Sequence, residues 1–283
     1  MKRLGLLAII VLAAVAGYVF WPTSAVEIPF AATSAPSMDF ARLEAEMPLT
    51  AEHRRRLMPA DLKAMTQEQV DQIYGRLTAG PIPDGPFDGD LFFARGVDGE
   101  TRVAEIVGGH LKGRLANLKI RNVEFLGRTL WKGKVFFREE RVLRNRIEDL
   151  AILRPILGDN IGDIQKLSVD GRDAYLLFPA RLYCGQSLLD GRRESVIIDY
   201  AFTDEIPGYR EMPDQLAGRT GLRIRDEIRM VRPGFYLGRA YLNRIFGLNF
   251  TLYRKADAEA APPATIAEDC WTGTQSGTSA ATN

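Results

Sequence analysis

Two histidines, two cysteines and a few acids set among apolar neighbours are the residues of this chain with chemistry to offer. Cys184-Gly185-Gln186-Ser187 places a thiol near a hydroxyl, but Ser187 runs into Leu188-Leu189 and lacks the glycine that lets a nucleophile elbow turn sharply. His53 stands beside Arg54, Arg55 and Arg56 in a segment of surface character, which leaves His110, after Gly108-Gly109, as the one base for Cys184 or Ser187. Two separate histidines and two distant cysteines have no metal-ligand spacing. Gly127 to Lys134 approaches a phosphate loop, yet five residues instead of four separate Gly127 from Gly133, and Val135 stands where Ser or Thr would bind magnesium. The sequence thus supplies no catalytic set, no metal site and no cofactor motif.

What remains is aromatic, basic and glycine-rich. Asp199 lies in Glu194–Phe202, where Val196, Ile198, Tyr200 and Phe202 share one face and Ile197, Asp199 and Ala201 the other. Paired with an arginine, it reads either as a structural ion-pair partner or as an acid with a shifted pKa. In Trp131-Lys132-Gly133-Lys134-Val135-Phe136-Phe137 strict alternation puts Trp131, Gly133, Val135 and Phe137 on one face, with Lys132, Lys134 and Phe136 opposite. In 233–241, Phe235, Leu237, Arg239 and Tyr241 oppose a shallow face of Tyr236, Gly238 and Ala240. Glycine inside a strand marks a bend or a close approach to backbone. The candidate ligand contacts are Trp131, Lys134, Phe136, Asp199, Tyr200, Arg229, Tyr236 and Arg239; an aromatic core with corner glycines accounts for the same pattern.

Positioning these residues requires strands. After the turn-rich Pro81–Gly89 come short runs bounded by Gly, Pro or Asp, as in an antiparallel sheet or barrel. Strands are predicted at Asp90–Val97, Arg102–Val107, Trp131–Glu139, Ala174–Phe178, Leu182–Leu188, Glu194–Phe202, Leu222–Val231, Phe235–Tyr241 and Leu248–Tyr253, with a helix near His110–Ile120. The clearest alternation sets Leu222, Ile224, Ile228 and Met230 against Arg223, Arg225, Glu227 and Arg229, which predicts a half-buried strand with one wet face. Before the sheet, Thr66 and Gln69 form a capping-box pattern ahead of Val70, Ile73 and Leu77.

Met1-Lys2-Arg3 precedes an unbroken apolar run from Leu4 to Phe20, roughly 25 Å as a helix, just under the hydrocarbon core of a bilayer. Charge before the run keeps the N-terminus cytoplasmic and sends the rest across. Small residues at Ala14 to Ala16 suit a cleaved leader; Tyr18, Phe20 and Trp21 suit an anchor. The predicted organisation is residues 1–21 signal anchor or signal peptide, 22–40 flexible spacer, 41–80 short helical region, 81–255 β domain and 256–283 disordered tail. The expected location is the inner membrane as a single-pass protein with its C-terminal domain in the periplasm, or the periplasm itself if the leader is cut. With 46% apolar residues the chain has ample material for a core, and 37 basic against 36 acidic residues give no reason to expect nucleic acid. Cys184 and Cys270 are too few for a disulfide scaffold; in an oxidising compartment they either pair, tying the tail to the domain, or remain thiols.

Trp131-Lys132-Gly133-Lys134 resembles the W-x-G-K core of bacterial lipocalin-like domains of the GxWxG kind, within the calycin group. Val196-Ile197-Ile198-Asp199-Tyr200 resembles a later strand of such domains that ends in Tyr and Asp. The resemblance covers Phe87 to Tyr253, reverses the Asp-Tyr order and has no clear G-x-W on the first strand. It implies a barrel that binds something apolar. The expected fold is mainly β (α+β): an antiparallel β-barrel or barrel-like sheet with N-terminal helices and one N-terminal transmembrane helix. The expected function is a membrane-tethered binding protein for a lipid or other apolar small molecule. A structural subunit of an envelope complex, meeting its partner through Arg223, Arg225 and Arg229, is the alternative. A lipid-directed hydrolase or transferase using Asp199, His110 or Ser187 comes third.

Overall fold

The computed structural model describes residues 27–32, 38–95, 131–153, 164–260 and 270. The apolar N-terminal run, the predicted strand at 102–107, the predicted helix at 110–120 with His110, and most of the tail lie outside these residues. Among the described residues no helix is long and apolar enough to cross a membrane.

Among the described residues four short helices come first: α1 (Phe40–Glu46), α2 (Ala51–Arg56), α3 (Pro59–Lys63) and α4 (Gln67–Gly75). Each begins where a side chain can satisfy the free amides of a first turn. For α4 this is the expected capping box: Gln69 N–H donates to Thr66 Oγ1 at 3.4 Å and Thr66 N–H to Gln69 Oε1 at 3.0 Å.

The nine strands among the described residues are β1 (Gly85–Phe92), β2 (Trp131–Phe137), β3 (Val142–Ile147), β4 (Lys166–Val169), β5 (Arg172–Gln186), β6 (Glu194–Asp199), β7 (Ile224–Arg232), β8 (Phe235–Leu242) and β9 (Ile245–Tyr253). They are ordered β3-β2-β1-β9-β8-β7-β6-β5-β4, all antiparallel, and β3 also pairs with β5. That last pairing closes eight strands into a barrel and leaves β4 as a flap on β5. Closure removes the free edges that an open sheet would expose.

Two strands, β3 and β4, escaped the sequence reading, and one was split. In β3, Val-Leu-Arg-Asn-Arg-Ile, polar residues occupy both faces, so no alternation shows; Arg144, Asn145 and Arg146 are nevertheless buried. The two runs predicted at 174–178 and 182–188 are one continuous β5. Its apparent break at Pro179 is a bend, with Phe178 at φ 51°. A bulky residue rarely adopts that conformation. Here it is held because Phe178 N–H donates to Asp214 Oδ1 at 2.7 Å and the Phe178 carbonyl accepts from Asn145 Nδ2 at 3.0 Å.

Apolar residues form two main layers separated by the barrel wall, with a smaller cluster of Ile147, Leu150, Leu153, Ile164 and Leu177 beside them. Inside lie Phe87, Phe136, Leu143, Leu182, Val196, Ile198, Ile228, Met230, Tyr236, Phe250 and Leu252. Outside, Val231, Phe235 and Leu237 pack with Val70, Ile73, Tyr74 and Leu77 of the α4 region. Only part of the β7 face expected to be wet is buried: Glu227 and Arg229 are 0% exposed, while Arg225 is half-buried and Arg223 exposed. Alternation of sequence shows only that the two faces of a strand differ, and at Arg229 the polar face meets the α4 helix instead of water.

The chain ends also differ from expectation. Within the predicted spacer, Ile28 is buried, Arg76 Nη1 donates to the Pro29 carbonyl at 3.0 Å, and Ala31 exchanges two hydrogen bonds with the Gln72 side chain. At the start of the predicted disordered tail, Lys255–Ala260 is helical (α5), and within that tail Cys270 is buried inside the barrel, disulfide-bonded to Cys184.

Candidate functional site

Among the described residues the barrel interior is apolar except at one place. Lys134 of β2, fully buried, donates to Asn145 Oδ1 at 3.0 Å, Tyr200 Oη at 2.7 Å and Asp226 Oδ2 at 2.9 Å. Asn145 Oδ1 also accepts from Trp131 Nε1 at 2.8 Å, and Asn145 Nδ2 donates to Tyr200 Oη at 2.9 Å. The ammonium sits 5.4 Å from the centres of the Trp131 and Tyr200 rings and 5.5 Å from that of Phe250. A cation surrounded by ring faces and one carboxylate is stabilised by both.

Burial disfavours the charged form of each partner. At Lys134 this is outweighed by Asp226 and Tyr200, and the pKa is raised. At Asp226 burial prevails over Lys134, and the pKa is raised as well. Three donated hydrogen bonds are what an ammonium makes and a neutral amine does not, so the ion pair is the form that fits the geometry. Asp226 is the member that takes up a proton first as pH falls.

Local backbone features put these groups together. The β2–β3 register shifts between Trp131 and Gly133, a bulge with Gly133 at φ 138°. A bulge re-aims the side chains before it. Trp131, assigned by strict alternation to the face opposite Lys134, consequently joins Lys134 and Phe136 inside. A Cβ on Gly133 would lie 2.0 Å from the Phe87 carbonyl oxygen, so only glycine fits the bulge. Gly89 and Gly238 leave the room in which Trp131 and Phe250 lie, since a Cβ on either would fall 2.3 Å and 2.2 Å from those rings.

Of the candidate ligand contacts, the barrel brings together Trp131, Lys134, Phe136, Tyr200 and Tyr236. Asp199, Arg229 and Arg239 lie on the outer face. Arg229 is spent on internal contacts: it donates to the carbonyls of Tyr74, Asp190, Arg193 and Glu194 and to Ser195 Oγ, with its guanidinium 4.8 Å over the Tyr74 ring. Arg239 pairs with Asp71 and donates to Tyr241 Oη at 3.0 Å. Asp199 accepts from Tyr183 Oη and from Ala201 N–H, each at 2.8 Å. Ser187 Oγ caps its own turn, accepting from Leu189 and Asp190 N–H.

Asn145 and Asp226 were missed. Asp226 carried a readable signal, because it interrupts the apolar face of Leu222, Ile224, Ile228 and Met230 just as Asp199 interrupts its own strand. Asn145 had none, lying in a strand without visible alternation. Among the described residues no three His, Cys, Asp or Glu side chains are grouped to hold a metal.

No family model matches the chain, and no curated protein matches it. A solved structure, a protein from Thermomonospora curvata, is similar over 72% of this chain and 98% of that one at 19% identity. Its TM-score of 0.35 is too low for any functional argument.

Proposed function

We propose that this protein is a membrane-tethered, extracytoplasmic barrel that binds a lipid or another apolar small molecule bearing a polar head. The observation that carries the reading is the single polar pole within an aromatic interior: Lys134, Asp226, Tyr200, Asn145 and the Trp131 indole inside walls of Phe87, Phe136, Tyr236 and Phe250. Small-molecule sites combine apolar lining with a few convergent polar groups that set orientation. The basic start and apolar run of residues 1–20 support export and a membrane-adjacent lipid source.

The alternative, an envelope-complex subunit docking through Arg223, Arg225 and Arg229, loses support because Arg229 is fully enclosed by its own chain. The test is mass spectrometry of lipid carried through purification, together with titration of a fluorescent fatty acid. Expected are a stoichiometric lipid and saturable probe binding that Trp131→Ala weakens about tenfold. Absence of both lipid and probe binding overturns the reading.

A further inference from the structure

A groove of about 690 Å³ runs along the outer wall, away from the interior pole, lined by Tyr183, Gln186, Ser187, Leu188, Gly191, Arg225 and Arg244. Its volume falls in the range of small-molecule clefts, roughly 300–1,000 Å³. Its lining is polar, with Leu188 the one aliphatic side chain. We propose that this groove binds a saccharide bearing a carboxylate or phosphate.

The anionic group is called for by Arg244. This residue and Asn243 form the tip of the β8–β9 hairpin with φ of 70° and 47°, the two-residue turn that matches the twist of the flanking strands. Asn243 N–H donates to the Arg223 carbonyl at 3.1 Å, so the tip is fixed in place. The Arg244 guanidinium has no ion-pair or hydrogen-bond partner among the described residues. The carboxylates bordering the groove are already engaged. Glu227 Oε1 accepts from Arg225 at 2.7 Å and from Leu188 N–H at 2.9 Å, and Asp199 accepts from Tyr183 and Ala201. Arg225 is tied to Glu227 and to the Gln186 carbonyl, which leaves Arg244 as the cation free to meet an anion. A guanidinium suits carboxylate and phosphate because its paired N–H groups match two oxygens at once.

The sugar is called for by Tyr183. Tyr183 is 41% exposed at the groove, while its hydroxyl donates to Asp199 Oδ2 at 2.8 Å. An exposed ring fixed at its hydroxyl keeps an apolar face beside polar groups, and the C–H faces of a pyranose are complementary to such a surface. The free amide of Gln186 then lies within the same groove for sugar hydroxyls.

The experiment is calorimetric titration of the full chain in detergent with glucose 1-phosphate, glucuronate, glucose and inorganic phosphate. Expected is binding of the two anionic sugars at least about tenfold tighter than glucose or phosphate, weakened by salt. Arg244→Gly suits the positive φ and should keep the fold while removing that preference over glucose. Tyr183→Ala should weaken both anionic sugars and leave phosphate unchanged. Gly191→Phe, at a glycine with no atom within 4 Å of an added Cβ, should fill the groove and abolish binding. Equal binding of phosphate and glucose 1-phosphate would make this a plain anion site and overturn the saccharide assignment. Unchanged binding by folded Gly191→Phe, or no binding of the anionic sugars at all, overturns the site.

Discussion

Lys134 and Asp226, 92 positions apart in sequence, meet at 2.9 Å inside the barrel, where side-chain exposure is 3% and 7%. At that depth each charge depends on the other, because neither has water to stabilise it. Lys134→Met alone should cost about 3–5 kcal/mol by stranding a buried carboxylate, whereas Lys134→Met with Asp226→Leu should recover most of that loss. Urea unfolding of the two single variants and the double variant closes the cycle. Strictly additive losses would mean that the pair is not coupled.

Phe250 lies across Gly238, with its Cζ where a methyl group would sit, 2.2 Å from an ideal Cβ. Gly238→Ala should therefore force the ring aside and destabilise the barrel by about 1–3 kcal/mol. Gly171→Ala, at an open but left-handed turn position, separates backbone strain from this steric effect. Thermal denaturation of both variants compares them, and a wild-type midpoint for Gly238→Ala would contradict the close packing.

The Cys184–Cys270 bond closes a loop with a sequence separation of 86 residues. Loop-closure entropy of that size corresponds to about 4–5 kcal/mol of stability in the chain-entropy model. Reductant should lower the denaturation midpoint of the wild type and leave a Cys184→Ser, Cys270→Ser variant unaffected. Two free thiols in the oxidised, denatured protein would rule the bond out.

Burial raises the pKa of Tyr74, Tyr200, Tyr236 and Tyr241 above the ordinary 10.0, and that of Lys134 is raised by Asp226 and Tyr200 against the opposing effect of burial. A group whose folded pKa is raised holds its proton in the native state after the unfolded chain has lost it. Its stabilising contribution is thus complete below the unfolded value and declines as pH climbs beyond it. Burial lowers the pKa of Arg54, Arg76, Arg144 and Arg232, that of Arg76 to about 10, and these four act in the opposite sense to the five raised groups. The melting temperature should accordingly fall once pH exceeds about 10. Tyr74→Phe should make the fall shallower, as followed by circular dichroism across that range.

Strand positions were legible wherever local alternation was intact. The segments at Trp131, Glu194, Leu222, Phe235 and Leu248 all proved to be barrel strands, and the Thr66–Gln69 capping box was visible because its two partners are three residues apart. Where both faces of a strand carry polar residues, as in β3, periodicity has nothing to report. Where a bulge intervenes, as at Trp131–Gly133, counting by twos puts a side chain on the wrong face.

By itself the sequence determined that the chain is strand-rich, that its strands have two unlike faces, and that the segment from Trp131 to Phe137 and the residue Tyr200 carry aromatic and polar groups worth locating. Only the tertiary structure decided which face looks inward. That depends on the closure of β3 against β5 and on helices covering the outside, both of which join residues far apart in the chain. Arg229 and Lys134 look alike as basic residues in alternating strands. Closure sends Lys134 to Asp226 inside the barrel and Arg229 to the Tyr74 carbonyl beneath α4.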